Sequence, residues 1–225
     1  MTIVNFFQMM KTVKEIKETT GLHITVNHSG KMDGMQSLST SPYKNMQCER
    51  NAKIAGSICE KCFSRKQMKR WSPMEKPLIK NFEILTSKIL PVDELPIINA
   101  LYFRFEAFGD LANEIQAANY LNIAKHNPGV RFAWWTKNAR FIKKALENGF
   151  EKPDNLVIVY SSLYLNKAED VAKMKRLYPF IDKIFTVYDK KSSCGVAINC
   201  GERQCLKCRL CYEKNGIDII NEIEK

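Results

Sequence analysis

The residues of this sequence that are best suited to chemistry are its eight cysteines, which fall into two groups. The upstream group is Cys48, Cys59 and Cys62, and the downstream group is Cys194, Cys200, Cys205, Cys208 and Cys211. The upstream group contains a CxxC spacing and the downstream group a CxxCxxC run. Thiolates two residues apart can turn toward one soft metal centre, because the backbone between them makes a tight loop. In a chain that is not small and shows no export signal, these spacings favour metal binding over disulfides.

The CxxCxxC run favours an iron–sulfur cluster over zinc. Successive cysteines of such a run bind different irons of a 4Fe–4S cube in the ferredoxin arrangement. We therefore predict a cluster on Cys205, Cys208 and Cys211, with either Cys194 or Cys200 as the fourth ligand. Zinc is the alternative, because it needs four ligands at one point, and the upstream group with one further cysteine would supply them.

Composition excludes several classes of protein. The chain has 225 residues, 45% hydrophobic and 26% charged, which suits one domain with a buried core and excludes wholesale disorder. No run of about 18 apolar residues is present, so we predict that the chain does not enter a membrane. The first residues do not resemble a secretory signal, and we therefore expect a cytoplasmic location.

Basic residues exceed acidic ones, giving a formal net charge of +11. The densest stretch, Lys61 to Lys80, has seven Lys or Arg and one Glu, and milder stretches cover residues 131–152 and 173–191. Such a surface suits a polyanionic partner, namely nucleic acid, a phosphorylated ligand or an acidic protein. No nucleic-acid-binding motif accompanies the charge, so a high pI without such a partner is the simpler interpretation.

Strands and helices alternate regularly from residue 100 onward. Strands are predicted at residues 22–26, 100–108, 131–136, 156–161 and 183–188. Helices are predicted at 3–18, 72–90, 111–125, 139–147, 167–177 and 217–224. This alternation predicts an α/β fold, either a partial (β/α) barrel or an open parallel sheet of about five strands, with a C-terminal Cys-rich extension. We divide the chain into an N-terminal helix (1–20), an α/β core (21–190) with a cysteine loop at 27–62, and a cluster-binding extension with a final helix (191–225).

Functional residues of parallel sheets lie at the carboxyl ends of the strands. Both cysteine groups follow a predicted strand, so we expect them at one edge of the sheet. Gly109 and Asp110 end the second predicted strand, and Trp135 and Lys137 end the third. We predict that these four residues bind a cofactor, with Asp110 facing a ligand's ammonium group and the Trp135 ring on a planar ligand. A structural role for Asp110, as cap of the following helix, is the alternative.

The order of these features resembles the radical S-adenosylmethionine (SAM) family. In that family three cysteines after the first strand of a partial barrel hold a 4Fe–4S cluster with one open iron, and a glycine-rich acidic motif binds the SAM amino group. Here the upstream group stands in the place of the cysteine loop, and residues 108–110 in the place of the acidic motif. The turn at 136–138 resembles one that often ends the third strand, and the downstream group resembles an auxiliary-cluster extension. The resemblance covers about residues 20–212, with a longer spacing between the first two cysteines and Asp in place of Glu.

The chain is also similar to an uncharacterised phage family called gene product eighty-eight. The shared features are a Gly-Lys-Met opening at residues 30–32, a cysteine loop, a Gly-Asp after a strand, a Thr-Lys-Asn turn and cysteine pairs near the end. This resemblance implies a phage-encoded protein in the host-cell cytoplasm and supplies no reaction.

Three functions are compatible with the sequence. The first is an iron–sulfur enzyme with one or two 4Fe–4S clusters that binds SAM at an open iron and cleaves it reductively. The second is a non-catalytic module, held together by iron–sulfur clusters or zinc, that binds nucleic acid or a host protein through its basic surface. The third is a phage accessory protein whose metal sites only stabilise the fold. The sequence specifies neither the substrate nor the oligomeric state.

Overall fold

The described part of the chain is built on one mostly parallel sheet of seven strands. The computed structural model describes residues 21–26, 28–201 and 203–224, so the helix predicted at residues 3–18 lies outside the described residues. The strands are β1 (Ile24–Thr25), β2 (Gln36–Leu38), β3 (Tyr102–Phe105), β4 (Arg131–Thr136), β5 (Leu156–Ser161), β6 (Lys183–Tyr188) and β7 (Ile219–Ile223). Their order in the sheet is the order in the chain. β1 pairs antiparallel to β2, and each later neighbouring pair is parallel.

Helices follow most of the strands. Those in the described residues are α1 (Met46–Ala52), α2 (Phe63–Arg70), α3 (Glu75–Ser87), α4 (Glu114–His126), α5 (Ala139–Glu147), α6 (Val171–Leu177) and α7 (Cys205–Cys208). None of these is long and apolar enough to cross a membrane. Parallel crossovers are nearly always right-handed, so a sequential strand order places the connecting helices on one face of the sheet.

That face of the sheet carries the main hydrophobic core. Strand residues of alternating position contribute large apolar side chains that pack on α4 and α5. The buried strand members of this core are Leu38, Phe103, Phe105, Phe132, Trp134, Leu156, Ile158 and Ile184. The Tyr120 ring of α4 stacks on Phe105 with centroids 4.3 Å apart and meets Trp134 edge-on at 5.2 Å. All three aromatic side chains are fully buried.

The opposite face of the sheet is covered by the cysteine-rich segment, which includes the short α7, instead of by the helices that connect the strands. The intervening strand residues Ala133, Val157 and Val159 point to this side and pack in two smaller clusters with Leu210 and Tyr212. Several cysteines of the downstream group belong to the same clusters. The adjacent tryptophans of β4 therefore lie on opposite faces, as alternation predicts.

The structure confirms the α/β fold and the open form of the sheet. The bounds of β4, β5, β6 and α5 agree with those predicted from the sequence. The sheet has seven strands rather than about five and does not close into a barrel. Residues 219–223 pair with β6, so the cysteine-rich segment returns to the same sheet.

The predicted first strand is wrong in its role. The predicted strand 22–26 is reduced to the two-residue β1, an antiparallel strand at the sheet edge. The first parallel strand is β2, which lies inside the segment predicted to be irregular. Three residues are too few to show an alternating pattern, so β2 depends on its pairing with β3 rather than on its own sequence. The upstream cysteine group therefore follows β2.

The predicted final helix over residues 217–224 is also wrong, because the chain there forms β7. Isoleucines at 217, 220 and 223 are three residues apart, a spacing that is compatible with one face of a helix. β-Branched isoleucine also favours strands, and β6 would otherwise leave its backbone N–H and C=O groups unpaired at this edge. Pairing with β6 satisfies these groups and decides the conformation.

Two neighbouring isoleucines of β7 test this assignment. Ile220 is fully buried against β5, whereas Ile219 is 45% exposed. We expect Ile220→Ala to lower the free energy of unfolding by about 2–5 kcal/mol, because it leaves a cavity in a closed cluster. The matched variant Ile219→Ala should cost less than about 1 kcal/mol. Urea unfolding measures both, and equal losses would contradict a strand with one buried face.

Candidate functional site

The upstream group brings three half-buried thiols together beyond the carboxyl end of β2. Cys48 lies at the start of α1, where its amide donates a hydrogen bond to the capping side chain of Asn45 at 3.4 Å. Cys59 and Cys62 form a tight turn in which the Cys62 amide donates to the Cys59 carbonyl at 3.2 Å. The pKa of Cys48 is raised well above its ordinary value by burial first, then by Asp110, and in smaller part by the other two thiols. The three sulfurs thus influence one another although they come from separate segments.

Lys137 places a positive charge among these thiols. It follows β4 and is half-buried. Burial lowers the pKa of its ammonium group. Cys59, Asp110 and the other two thiols raise this pKa by more than burial lowers it, so the net pKa is raised. The same charge opposes the burial-driven rise in the pKa of both Cys48 and Cys59. Within the part of the chain that the structure describes, no carboxylate lies within ion-pair distance of this ammonium.

Asp110 ties together the loops around this group. Its buried carboxylate accepts hydrogen bonds from the Thr136 hydroxyl at 2.6 Å, from the Leu111 amide at 2.7 Å and from the Lys137 amide at 3.1 Å. Its carbonyl accepts a bond from the Asn45 side chain at 2.6 Å. The loop after β3, the turn after β4 and the cap of α1 are therefore joined at one residue.

Gly109 and Asn113, the residue that caps α4, define the backbone on either side of Asp110. Gly109 has a φ of 84°, and a Cβ there would lie 2.4 Å from the Thr40 carbonyl oxygen, so only glycine fits. The cap of α4 is Asn113, whose side chain accepts a bond from the Gln116 amide at 2.9 Å. The interpretation of Asp110 as a helix cap is therefore wrong. Its predicted role toward a ligand's ammonium group stays a prediction, as does the cofactor role of Gly109.

Four cysteines of the downstream group gather against the sheet face that the helices leave open. These are Cys200, Cys205, Cys208 and Cys211, which pack in the two smaller clusters. Burial raises the pKa of Cys211, and Cys200, Cys205 and Cys208 raise it further. Cys194 is exposed and belongs to neither cluster. The structure thus joins Cys200 to the CxxCxxC run and leaves Cys194 apart. The group lies on the face of the sheet, not at its carboxyl edge as predicted.

Two cations accompany this second group. Lys31 donates to the Cys200 sulfur at 3.2 Å and to the Glu222 carboxylate at 2.6 Å. The Arg104 guanidinium lies 3.9 Å from the centre of the Trp135 ring, and its charge lowers the pKa of Cys205 against the larger effect of burial. No described carboxylate pairs with Arg104.

Two hydrogen-bond donors without a partner lie beside the downstream thiols. The Arg104 Nε and the Tyr212 hydroxyl are buried without a hydrogen-bond partner among the described residues. Burial raises the pKa of Tyr212 well above its ordinary value, and Cys205 and Cys211 add to this, which places the phenol beside the thiols. Buried polar groups normally have partners, so these two donors are free to bond to an acceptor beside the thiols. Hydrogen bonds to sulfur are one of the means by which proteins tune iron–sulfur clusters.

The thiols are not arranged around a single ion. In residues 21–224, apart from the two internal positions not described, no three His, Cys, Asp or Glu side chains converge closely enough to hold one metal. A tetrahedral zinc with bonds of about 2.3 Å requires such convergence. A 4Fe–4S cube holds its cysteines further apart, because each binds a different iron. All eight cysteines are described and none is in a disulfide, so an all-sulfur donor set is present in each group.

Trp135 packs beside the downstream cysteines on the face of the sheet, and not at the carboxyl edge of the sheet. Arg104 covers one face of its ring, and Tyr212 approaches it edge-on at 6.2 Å. The structure therefore brings Lys137, Asp110 and Gly109 together with the upstream group but not Trp135. Its predicted contact with a planar ligand stays a prediction.

The sequence did not reveal four further residues that adjoin or support the thiol groups, namely Lys31, Arg104, Tyr212 and Glu106. Two of them had a visible signal. Arg104 is a charged residue inside an apolar strand, and Glu106 is a charged residue directly after that strand. The Glu106 side chain is buried, and burial raises its pKa to about 8, although hydrogen bonds from Tyr120 and Thr40 act in the opposite direction.

Two cavities differ in their relation to the thiols. One of about 220 Å³ is lined by α1, Lys137, Asn138 and Tyr160, and so adjoins the upstream group at the carboxyl edge. A larger one of about 570 Å³ lies beside Leu101 and Val130, before β3 and β4 begin, at the opposite edge. Ligands of parallel sheets bind at the carboxyl edge, so the smaller cavity is the relevant one.

Comparison with known proteins gives one match. No curated protein and no solved structure matches the chain. The family model for gene product 88 matches residues 10–214, which includes both cysteine groups and the whole sheet except β7. This match confirms the resemblance to a phage gene product, and the chain belongs to the gene product 88 family.

Proposed function

We propose that this protein is an iron–sulfur enzyme of the radical-SAM type. The upstream group would hold a 4Fe–4S cluster with one open iron that binds SAM. Cys200, Cys205, Cys208 and Cys211 would hold a second, fully ligated cluster.

Positive charge beside each thiol group carries the proposal. Taking an ammonium or guanidinium group out of water is costly unless negative charge meets it. Neutral thiols do not supply that charge, whereas cluster ligands are thiolates. Lys137 and Arg104 have no carboxylate partner in the described part of the chain, and each adjoins one thiol group. Metal-bound thiolates would provide the missing charge at both places.

The number of ligands distinguishes the two sites. Three cysteines leave one iron of a cube without a protein ligand, and that iron is available to SAM. Cys48, Cys59 and Cys62 would hold this cluster, which when reduced would supply the electron for reductive cleavage of SAM. Four cysteines leave no open position, so the downstream site suits electron relay or structural support rather than substrate binding.

The residues of the upstream site would position the ligand. Among the described residues, the Asp110 oxygen that faces the Lys137 amide accepts no other bond, so it retains capacity for one further donor, such as an ammonium group. The adjoining cavity would admit part of the ligand beside Tyr160 and Asn138. Asp110 does not line this cavity, but the bond that it accepts from Lys137, which does, fixes the cavity wall before binding and reduces the cost of ordering the site.

Iron analysis tests the two sites separately. Protein purified without oxygen should be brown and contain iron and sulfide. We expect Cys205→Ser and Cys48→Ser each to lose about half of the iron, since each removes a ligand of a different cluster. Cys194→Ser is the matched control and should keep the full iron content, because this thiol is exposed and apart from both groups. A colourless protein with one or two zinc ions would overturn the proposal in favour of a non-catalytic, metal-stabilised module.

The Lys137 charge gives a second test, in the electrochemistry of the upstream cluster. Removing a cation near a cluster makes reduction less favourable, so Lys137→Gln should lower its midpoint potential by on the order of 50–150 mV. Lys137→Arg should stay close to the original value. Lys143→Gln on α5 removes an exposed lysine and is the control. Redox titration followed by electron paramagnetic resonance measures the shift, and unchanged potentials would contradict the assigned position of the charge.

Catalysis is tested by product formation. The fully loaded protein, given dithionite and SAM, should release 5′-deoxyadenosine, and Cys62→Ala should abolish this release while retaining the downstream cluster. If loaded protein forms no 5′-deoxyadenosine, the SAM part of the proposal fails and the two clusters remain to be explained as electron-transfer or structural centres.

A further inference from the structure

The exposed face of α2 combines aromatic and basic side chains. Phe63, Lys66 and Arg70 follow the i, i+3, i+7 spacing and therefore lie on one stripe of the helix. Met68 lies on the other side and is only 2% exposed, which fixes the stripe as the outer face. Phe63 is 62% exposed and Trp71, directly after the helix, is 67% exposed. Two exposed aromatic side chains therefore flank the basic residues of one short helix.

The positive charges of this surface are free of intramolecular partners. Lys61, Lys66, Lys69 and Arg70 are exposed, and none of them pairs with a carboxylate in the described residues. Exposed lysines elsewhere are of both kinds: Lys53 pairs with Glu49 and Lys88 with Glu94, whereas Lys44, Lys173 and Lys190 pair with no carboxylate in the described residues. The unpaired charge on α2 is therefore available to an external polyanion.

One of the two rings of this surface, that of Phe63, packs against other aromatic side chains. Phe63 stacks nearly parallel to Phe108, at 6.2 Å between centroids and 11° between planes. Phe108 in turn stacks on His28 at 6.4 Å and 20°. On the neighbouring segment, the Arg65 guanidinium lies 5.3 Å from the centre of the Tyr43 ring. A fixed ring loses little freedom when a flat ligand stacks on it.

We propose that the surface formed by Lys61, Phe63, Lys66, Lys69, Arg70 and Trp71 binds single-stranded nucleic acid. Cations that follow a phosphate backbone, interleaved with aromatic rings for unpaired bases, are the combination that single strands require. Duplexes keep their bases stacked inside and would leave Phe63 and Trp71 without a function. Acidic proteins would use the charge but carry no regular series of unpaired bases to stack on the rings. The proposal does not depend on the clusters, although Cys62 directly precedes α2 and places this surface beside the upstream group.

Binding is measured by fluorescence anisotropy of labelled single-stranded oligonucleotides on the complete protein as purified, with DNA and RNA in separate arms. Lys66→Glu with Lys69→Glu should weaken binding at least tenfold and lower the slope of log affinity against log salt by about 1.4, since each cation contributes about 0.7. Lys173→Glu with Arg176→Glu on α6 makes the same change of net charge at another exposed place and should lower affinity no more than about threefold. Tighter binding in one arm identifies the nucleic acid, and either result supports the proposal.

The variants Phe63→Ala and Trp71→Ala test whether the two exposed rings stack on bases. Each should weaken binding about 5- to 150-fold, which is the range for loss of one stacked base. Leu101→Ala, at a side chain that is 77% exposed, is the control and should change nothing. Iron content and urea unfolding confirm that Phe63→Ala leaves the neighbouring Cys62 ligated and the fold intact.

Three results would overturn the proposal. These are equal losses for the two charge-reversal pairs, unchanged affinity in both aromatic variants, and competition by duplex DNA or polyglutamate as strong as that by unlabelled single strand. The last would identify a duplex or an acidic protein as the partner in place of a single strand.

Discussion

The alternation of side chains along the parallel strands is the constraint on which both candidate sites depend. Phe103, Phe105 and Trp134 point toward the helices, so Arg104 and Trp135 between them must point to the other face. A sequential strand order gives that other face no crossover helices. The cysteine-rich segment covers it instead and returns to the sheet as β7. The thiols of this segment are thereby held in an apolar environment, where an ionised sulfur needs compensating charge.

The two thiol groups meet this need in different ways. Lys137 reaches the upstream thiols from the end of β4, and it is held there by the same turn whose amide binds Asp110. Lys31 and Arg104 reach the downstream thiols from two distant parts of the sequence, and Lys31 is 169 residues from Cys200. Each cation lowers the pKa of the thiols beside it, in opposition to the larger rise that burial causes.

The sequence predicted what depends on local pattern and missed what depends on distant pairing. β4, β5 and β6 are six-residue runs of β-favouring residues between helices, and their bounds were predicted correctly. β2 and β7 acquire their conformation from neighbours in the sheet, which no local pattern reveals. The division of the cysteines into two groups was visible in their spacing. Which of Cys194 and Cys200 joins the CxxCxxC run, and which cations adjoin it, depended on tertiary contacts.

The loop between β3 and α4 explains how the upstream site is kept in place. Glu106 has a φ of 56°, a left-handed conformation that costs a non-glycine residue roughly 1–2 kcal/mol. Its carboxylate offsets this by accepting bonds from Tyr120 and Gln116, each at 2.6 Å, and from the Thr40 hydroxyl at 2.9 Å. Thr40 lies in the cysteine loop just after β2, and Gly109 packs against it. Glu106 fixes one end of the loop between β3 and α4, and Asp110 fixes the other end. The segment that carries the upstream thiols therefore packs on a loop that is held at both ends.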